Sequence, residues 1–215
     1  MQELTTLKAI TSTKITPFFA TCPTGYSGID CCIDIGIDGY LNRFDALKIY
    51  ELAYYGVGGV LELGTYKGLS ASIIAQALDN SGRAAILETV DTDEAASAVA
   101  KETLAGRQGA ERIRFNIDGA AEFMDKRITE GQSFGFVFID HDHRYTATAE
   151  AAERLHDIMN PGGFCLFHDF NDPSNADPCN PNAVYQAVAD TILFDDGFEF
   201  YGVFGCCGLF RKMDS

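Results

Sequence analysis

From residue 60 onward, short apolar runs alternate with segments of helical periodicity, and this alternation most constrains the fold. The apolar runs are VLEL, AAILETV, RIRFNI, FGFVFI and GFCLFH, at 60–63, 84–90, 112–117, 134–139 and 163–168. Helical patterns lie between them at 70–78, 93–105, 120–128 and 146–159, the last ended by the Asn-Pro-Gly-Gly at 160–163. Near-continuous apolar strands that alternate with helices indicate a parallel sheet covered on both faces.

The C-terminal part of the chain departs from this alternation. A further helix is predicted at 182–193, and FEFYGV and FGCCGLFRK then follow as two strands joined around Gly202–Gly205. Strands with no helix between them pair antiparallel. The predicted fold is therefore α/β: a Rossmann-like, doubly wound, mainly parallel seven-stranded sheet with a C-terminal antiparallel hairpin and helices on both faces.

The segment before the alternation has a different character. Residues 1–38 are predicted to be irregular, because proline and glycine interrupt them repeatedly. A helix is predicted at 42–55, capped by Asn42, with Leu47, Tyr50 and Tyr54 at helical spacing. The predicted organisation is an irregular N-terminal segment, 1–38, followed by one domain, 39–215.

The net charge excludes one class of partner. It is −15, from 31 acidic and 16 basic residues. A field of this sign repels phosphate backbones, so nucleic acid is not expected as a partner. No apolar run approaches the roughly 18 residues of a membrane span, and the N-terminus lacks the apolar core of a signal peptide. A membrane partner is therefore not expected either.

Cysteine usage indicates the compartment. The chain has seven cysteines, an odd number, and they show no zinc-type CxxC spacing. Free thiols in a reducing cytoplasm are the interpretation that fits. Cys165, Cys206 and Cys207 are expected to pack in the core. The oligomeric state stays open, and a homo-oligomer is compatible with this composition.

The loop after the first strand carries the strongest functional signal. Gly64 and Gly68 let the backbone turn sharply and approach a ligand. The helix that starts near Ser70 points its N–H groups at the same space, which favours a carboxylate. Glu62 at the strand end is an acceptor for an ammonium group. The spacing Glu-x-Gly-x-x-x-Gly is neither that of dinucleotide enzymes nor that of a P-loop.

The whole string LELGTYKGLSA, at 61–71, resembles the first motif of methyltransferases that use S-adenosylmethionine (SAM). It is similar to small-molecule O-methyltransferases of the catechol and caffeoyl-CoA type. It also resembles a related bacterial group in which Gly-aromatic-Leu and a helix precede the motif, as Gly39-Tyr40-Leu41 do here. The resemblance spans about residues 36–211. It implies SAM as cofactor, with Thr65 and Tyr66 beside it in the loop.

The second and third strand ends fit the same cofactor. The second strand ends at Asp91, whose carboxylate can accept both hydroxyls of a ribose. The resemblance implies this role for Asp91, although an acidic residue there can also cap the next helix. The third strand ends at Asp118-Gly119-Ala120-Ala121. The resemblance implies that Gly119 and Ala120 lie against the adenine.

The fourth and fifth strand ends bring ionisable side chains together. The fourth ends in Asp140-His141-Asp142-His143-Arg144-Tyr145, and the fifth in His168-Asp169-Phe170-Asn171. Adjacent parallel strands end at the same edge of a sheet, so these side chains are expected to meet. Asp140 is expected to contact the cofactor as well as the acceptor.

Two mechanisms fit these residues. In the first, Asp140, Asp169 and Asn171 bind a divalent metal such as Mg²⁺, which orients an acceptor hydroxyl and lowers its pKa. The catechol-type enzymes have an Asn directly after the second carboxylate, whereas Phe170 stands there in this chain.

In the second mechanism, His143 removes the acceptor proton as general base, with Asp140 and His168 as catalytic partners and His141 as the other candidate base. The bacterial group shows Asp-x-x-His-x-Tyr here, matched by Asp140, His143 and Tyr145.

The expected function is methyl transfer from SAM to a small-molecule acceptor, most simply a hydroxyl oxygen. Two alternatives stay open. One is N-methylation of a small amine, since the fold does not select the acceptor atom. The other is a catalytically silent SAM-binding domain, although a silent domain does not need the ionisable cluster at the fourth and fifth strand ends.

Overall fold

The computed structural model describes residues 32–177 and 180–214. Residues 1–31 of the predicted N-terminal segment lie outside these ranges. Residues 32–38 form bends and one isolated bridge, between Cys32 and Asn42. Ile37 is nevertheless buried in the core, so this short stretch packs on the domain that follows it.

Seven strands form one sheet in the order β3-β2-β1-β4-β5-β7-β6. The strands are β1 (Gly59–Leu63), β2 (Leu87–Asp91), β3 (Ile113–Ile117), β4 (Phe134–Ile139), β5 (Met159–Phe167), β6 (Phe198–Phe204) and β7 (Cys207–Lys212). Strands β1 to β5 pair in parallel, whereas β7 runs antiparallel to both β5 and β6. The predicted sheet and its C-terminal hairpin are confirmed.

In residues 32–177 and 180–214, seven α-helices cover the sheet. They are α1 (Arg43–Tyr55), α2 (Leu69–Asn80), α3 (Glu94–Leu104), α4 (Ala120–Thr129), α5 (Tyr145–Glu153), α6 (Leu155–Ile158) and α7 (Val184–Thr191), with short 3-10 helices at Ala110–Arg112 and Pro173–Ala176. None of these helices has both the length and the apolar surface that crossing a bilayer requires.

Two apolar cores lie on opposite faces of the sheet because strand side chains alternate between faces. In β4, Val137 and Ile139 join the core under α4 to α7, and Phe136 and Phe138 join the core under α1 to α3. Both faces are buried, which explains why the β4 sequence is apolar without alternation.

The predicted helix at 146–159 was wrong at its C-terminal end. The helical region breaks after Glu153, resumes as α6 and ends at Ile158, and β5 already begins at Met159. The Asn-Pro-Gly-Gly sequence forms an irregularity within β5, where the register with β4 shifts from Phe134–Met159 to Phe136–Phe164. The Asn-Pro-Gly-Gly sequence, which was expected only to end the helix, is therefore part of the next strand.

Helix α1 forms as predicted, and Tyr50 and Tyr54 pack partly buried against the core, but its fully buried residues are not those that the apolar spacing picked out. Its buried residues are Asp45, Ile49 and Ala53, whereas Leu47 is 55% exposed. The Asn42 cap is confirmed: its side chain accepts from the Phe44 and Asp45 N–H groups. A buried aspartate in the first turn is the unexpected feature of this helix.

Candidate active site

A cavity of about 940 Å³ opens at the carboxyl ends of β1 to β5. This is the edge at which ligands bind in open α/β sheets, beside the point where the strand order reverses between β1 and β4. The loops after β1, β2, β3, β4 and β5 each contribute to its wall, and Tyr40 and Asp45 close it from the side of α1.

The loop after β1 needs glycine at two positions. Gly64 has φ +99°, and a Cβ there would lie 2.1 Å from the Asp140 carbonyl oxygen, so this loop packs directly on the end of β4. Gly68 has φ +89° at the start of α2, and a Cβ there would meet Leu104. Tyr66 also has positive φ, and its N–H donates to the Asp91 Oδ2 at 2.8 Å. The loop is thus fixed against both β2 and β4.

Glu62 lies beneath this loop and is fully buried. Thr89 donates to its Oε2 at 2.6 Å, and the Thr89 and Thr65 hydroxyls are 2.6 Å apart. Burial raises the pKa of Glu62 to about 8, which the Ser70 and Thr89 hydroxyls oppose only in part. Its Oε1 is buried without a hydrogen bond of good geometry among the described residues. This oxygen needs a donor, either its own proton or a group on a ligand.

Asp91 lies on the cavity wall at the end of β2. It does not cap α3, because Asp93 does so by accepting from the Ala96 N–H at 2.9 Å. The Asp91 oxygens accept from the Tyr66 and Asp93 backbone N–H groups and keep further acceptor capacity toward the cavity. Beside it, Asp118 and Ala120 form the wall at the end of β3.

Two histidines and two aspartates meet at the ends of β4 and β5. His143 Nε2 lies 3.3 Å from the Asp140 Oδ1 and 3.5 Å from the Asp169 Oδ2. His168 Nδ1 lies 3.1 Å from the Asp140 Oδ1 and 3.2 Å from the Asp169 Oδ1. Each imidazole therefore contacts both carboxylates.

This proximity shifts the pKa values of all four groups. Burial would raise the pKa of Asp140, but His168 and His143 hold it well below its usual range, and the same histidines lower that of Asp169. The hydrogen bond with Asp140 raises the pKa of His143 despite partial burial. Burial alone would lower the pKa of His168, but Asp140 and the Cys206 thiol raise it well above normal. The neighbouring His141 differs, because burial lowers its pKa.

The other ring nitrogen of His168 faces two side chains that were not predicted from the sequence to lie near it, those of Cys206 and Asp45. His168 Nε2 lies 3.2 Å from the Cys206 sulfur and 3.6 Å from the Asp45 Oδ2. Cys206 and Asp45 line the cavity, and Cys207 is buried behind them. Cys165 and Cys207 are buried in the core as predicted, and Cys206 is partly buried against the same core while it also lines the cavity. The available signal was the Asn42-x-x-Asp45 capping pattern, which places an aspartate at the start of a helix.

The predicted magnesium ligands do not come together as a set. Asn171 points away from the two carboxylates, toward the β6–β7 turn, where its amide donates to the Gly205 carbonyl at 3.5 Å. Imidazole nitrogens occupy the space between Asp140 and Asp169. Mg²⁺ prefers an all-oxygen octahedral shell, so this donor set does not fit it.

The predicted site residues divide into those at the cavity surface and those behind it. Those at the surface are Gly64, Tyr66, Asp91, Ala120, Asp140, His143, His168 and Asp169. Those that do not line the cavity are Glu62, Thr65, Gly68, Ser70, Gly119 and Asn171. Tyr145 donates from its hydroxyl to Asp190 on α7 and is likewise absent from the wall. Lining residues missed by sequence reasoning include Asp45, Cys32 and Glu150.

Comparison with known proteins agrees with this geometry. The family model described as a methyltransferase domain matches residues 61–170. No curated protein matches the sequence significantly.

Solved structures share the fold at low sequence identity. The O-methyltransferase TomG from Streptomyces achromogenes, involved in tomaymycin synthesis and solved with SAM, has a TM-score of 0.68 and 19% identity, over 81% of this chain and 82% of that one. An O-methyltransferase from Bacillus cereus solved with SAH has a TM-score of 0.68 and 14% identity, over 98% of this chain and 89% of that one. Cofactor-bound Rv0187 from MTB has a TM-score of 0.66 and 16% identity, over 82% and 83%.

Proposed function

Since the chain belongs to the methyltransferase-domain family, whose model matches residues 61–170, we propose that it transfers a methyl group from SAM to a hydroxyl oxygen of a small molecule. The observation that carries the proposal is His143, which is 41% exposed at the cavity wall and is held by Asp140 at 3.3 Å. An oriented imidazole beside a large cavity is the arrangement of a general base.

Several features of the cavity fit SAM. The Asp91 carboxylate lies at the end of β2, where an acceptor for ribose hydroxyls is needed, and Ala120 leaves room for a base at the end of β3. Glu62 is fully buried behind this wall and supports the β1–α2 loop through the Thr89 and Thr65 hydroxyls. TomG and the Bacillus cereus enzyme were solved with SAM and SAH in the same fold. SAM supplies an electrophilic methyl group on a positively charged sulfur.

The protein's own contribution is a proton acceptor in a fixed orientation. Asp140 is ionised, so it favours the His143 tautomer in which Nε2 carries the proton. Nδ1, which makes no hydrogen bond among the described residues, is then the basic nitrogen. As the acceptor oxygen bonds to the methyl carbon and the carbon–sulfur bond breaks, the hydroxyl proton passes to His143 Nδ1. Positioning of the two reactants supplies most of the remaining acceleration.

An amine acceptor is the second candidate. The cavity wall includes the carboxylates of Asp142, Glu150, Asp169 and Asp172 and one guanidinium, that of Arg144. Arg144 is itself paired with Asp142, and its hydrogen bond lowers the pKa of that carboxyl to about 2. This charge attracts cationic acceptors and repels phosphorylated or carboxylated ones.

The experiment combines cofactor binding with acceptor screening. Calorimetry with SAM and SAH is expected to show binding that Asp91→Ala abolishes. Methyl transfer to panels of hydroxylated compounds and of amines is then measured, with His143→Ala expected to bind SAM normally and to lose about 10²–10⁴-fold in turnover. His156→Ala is the matched control, because His156 lies on α6 and pairs with Asp195 away from the cavity. Transfer to amines alone would select N-methylation, and absence of SAM binding would overturn the proposal.

A further inference from the structure

Four metal-ligand side chains converge on the side of His168 that faces away from Asp140. Cys206 Sγ lies 3.2 Å from His168 Nε2 and 3.2 Å from Asp45 Oδ2, and Cys207 Sγ lies 3.5 Å from Asp45 Oδ1. One donor atom from each residue falls within 4.8 Å of all the others. They come from α1, from the end of β5 and from the β6–β7 turn, so the fold and not local sequence brings them together.

These spacings match the shell of a tetrahedral ion. Zinc binds sulfur at about 2.3 Å and nitrogen or oxygen at about 2.0–2.2 Å. Tetrahedral angles then place neighbouring ligand atoms roughly 3.3–3.8 Å apart. Two thiolates, one imidazole and one carboxylate form a soft donor set, suited to Zn²⁺ and unsuited to Mg²⁺.

The surroundings of His168 are those of a metal-bound imidazole. A histidine that binds metal through one nitrogen characteristically directs its other N–H to a carboxylate. His168 Nδ1 lies 3.1 Å from Asp140 and 3.2 Å from Asp169 while Nε2 faces the sulfur. Both carboxylates lie within reach of Nδ1, although their angles do not make a hydrogen bond with it, and Nε2 is left for a metal.

The backbone is shaped to bring Asp45 against the turn. Gly205 has φ +60°, and a Cβ at this position would lie 2.1 Å from the Asp45 Oδ1. The Cys206 N–H donates to the same oxygen at 3.0 Å. Asp45 is fully buried, and its ion-pair partner among the described residues is His168 alone. A fully buried carboxylate needs a positive partner, and a divalent ion bound to the four side chains would supply one in addition to His168.

We propose that Asp45, His168, Cys206 and Cys207 form a binding site for a zinc-type divalent cation. With four protein ligands the site is closed and structural, and it ties α1 to the β6–β7 turn at the cavity wall. It leaves His143 free of the metal. The inference does not depend on which acceptor the enzyme methylates.

Binding is tested on the whole protein, stripped of metal and then titrated with Zn²⁺ and, separately, with Co²⁺. We expect one tight equivalent and, for Co²⁺, a thiolate-to-cobalt charge-transfer band in the near ultraviolet. Cys206→Ser and Cys207→Ser are each expected to reduce the band to about half, because one thiolate remains, and to weaken Zn²⁺ binding beyond the roughly 10–100-fold typical of outer-shell changes. Replacing both cysteines is expected to remove the band. Cys165→Ala is the matched control, since Cys165 is a buried thiol outside the cluster.

A second comparison separates this cluster from the neighbouring one. Asp140, His143 and His168 also lie close enough to share an ion. His143→Ala is expected to keep the cobalt band, because His143 belongs to that group only. Thermal unfolding of the unmodified protein with and without Zn²⁺ gives a readout that needs no variant to fold, and we expect Zn²⁺ to raise its Tm. The proposal is overturned if the unmodified protein binds neither ion, or if the band keeps its full intensity in Cys206→Ser.

Discussion

His143 and His168 each place a ring nitrogen between the same two carboxylates, and this determines the protonation states in the cavity. Sequence reasoning could place both histidines at one edge of the sheet, because strands β4 and β5 are adjacent. It could not assign their nitrogens, since these depend on side-chain rotation. Nor could it pair Asp45 with Cys206, because the two are 161 residues apart and no motif links them.

The raised pKa of His143 predicts how the reaction depends on pH. A base acts only when neutral, so kcat/KM should rise as pH increases through a pKa above 6.5. Asp140→Asn removes the group that raises this pKa, so the rising limb should move to lower pH while the plateau falls. Profiles of kcat/KM against pH for both proteins check this. An unshifted limb in Asp140→Asn would rule out His143 as the titrating base.

Glu62 makes a separate prediction about stability. Its pKa of about 8 in the folded protein lies above the 4.5 of an exposed glutamate, so the folded state retains its proton. The resulting stabilisation is fully present below pH 4.5 and is lost as pH rises toward 8, by several kcal/mol at ~1.4 kcal/mol per unit. Glu62→Gln should flatten this dependence in urea unfolding measured from pH 5 to 8.5. The same slope in the variant would show that another group titrates.

At the scale of elements, the periodicity of apolar residues predicted which segments are helices and strands but not where they meet. The start of β5 was predicted too late, because proline and glycine usually lie between a helix and a strand. Here they lie within an irregularity of β5 itself. The apolar spacing of α1 did not predict its fully buried residues, because the helix buries the polar Asp45 toward the β6–β7 turn. In both cases the structure depends on contacts with an element that is distant in sequence: β4 for β5, and the β6–β7 turn for α1.

Gly64, in the β1–α2 loop, and Gly82, which follows α2, offer a matched pair of glycine substitutions. Gly64 and Gly82 both have positive φ, but a Cβ at Gly64 would meet the Asp140 carbonyl at 2.1 Å, whereas at Gly82 nothing lies within 4 Å. Gly82→Ala should therefore lower the free energy of unfolding only by the strain of a positive φ, about 1 kcal/mol. Gly64→Ala should cost roughly 3 kcal/mol or more and should also abolish SAM binding.

Urea unfolding and calorimetry on the two variants measure these effects. Equal losses of stability in both would mean that the approach of the loop to β4 contributes nothing.

At the scale of the whole molecule, the fold class could be predicted from the sequence because short apolar runs alternate with helices, as expected for a sheet that is covered on both faces. The position of the cavity followed as well, since the strand order places β1 and β4 side by side. The presence of Cys206 in the cavity wall could not be predicted, because it depends on the contact between the β6–β7 hairpin and α1.

The excess of negative charge makes a prediction for the whole molecule. At −15, like-charge repulsion opposes the compact state at neutral pH. Salt that shortens the Debye length from about 30 Å at 0.01 M to about 10 Å at 0.1 M should therefore raise the Tm. Equal shifts with NaCl and KCl would identify screening as the cause. A fall in Tm would show instead that ion pairs such as Arg127–Glu88 dominate.

The position of β7 between β5 and β6 has a consequence for biosynthesis. On the ribosome β6 is made first, yet the neighbour that β5 needs is β7. At roughly 5–20 residues per second, the nascent chain carries β5 with one open edge for some seconds. Open strand edges pair with other chains. The charge that costs the finished protein stability also keeps neighbouring nascent chains apart during that interval.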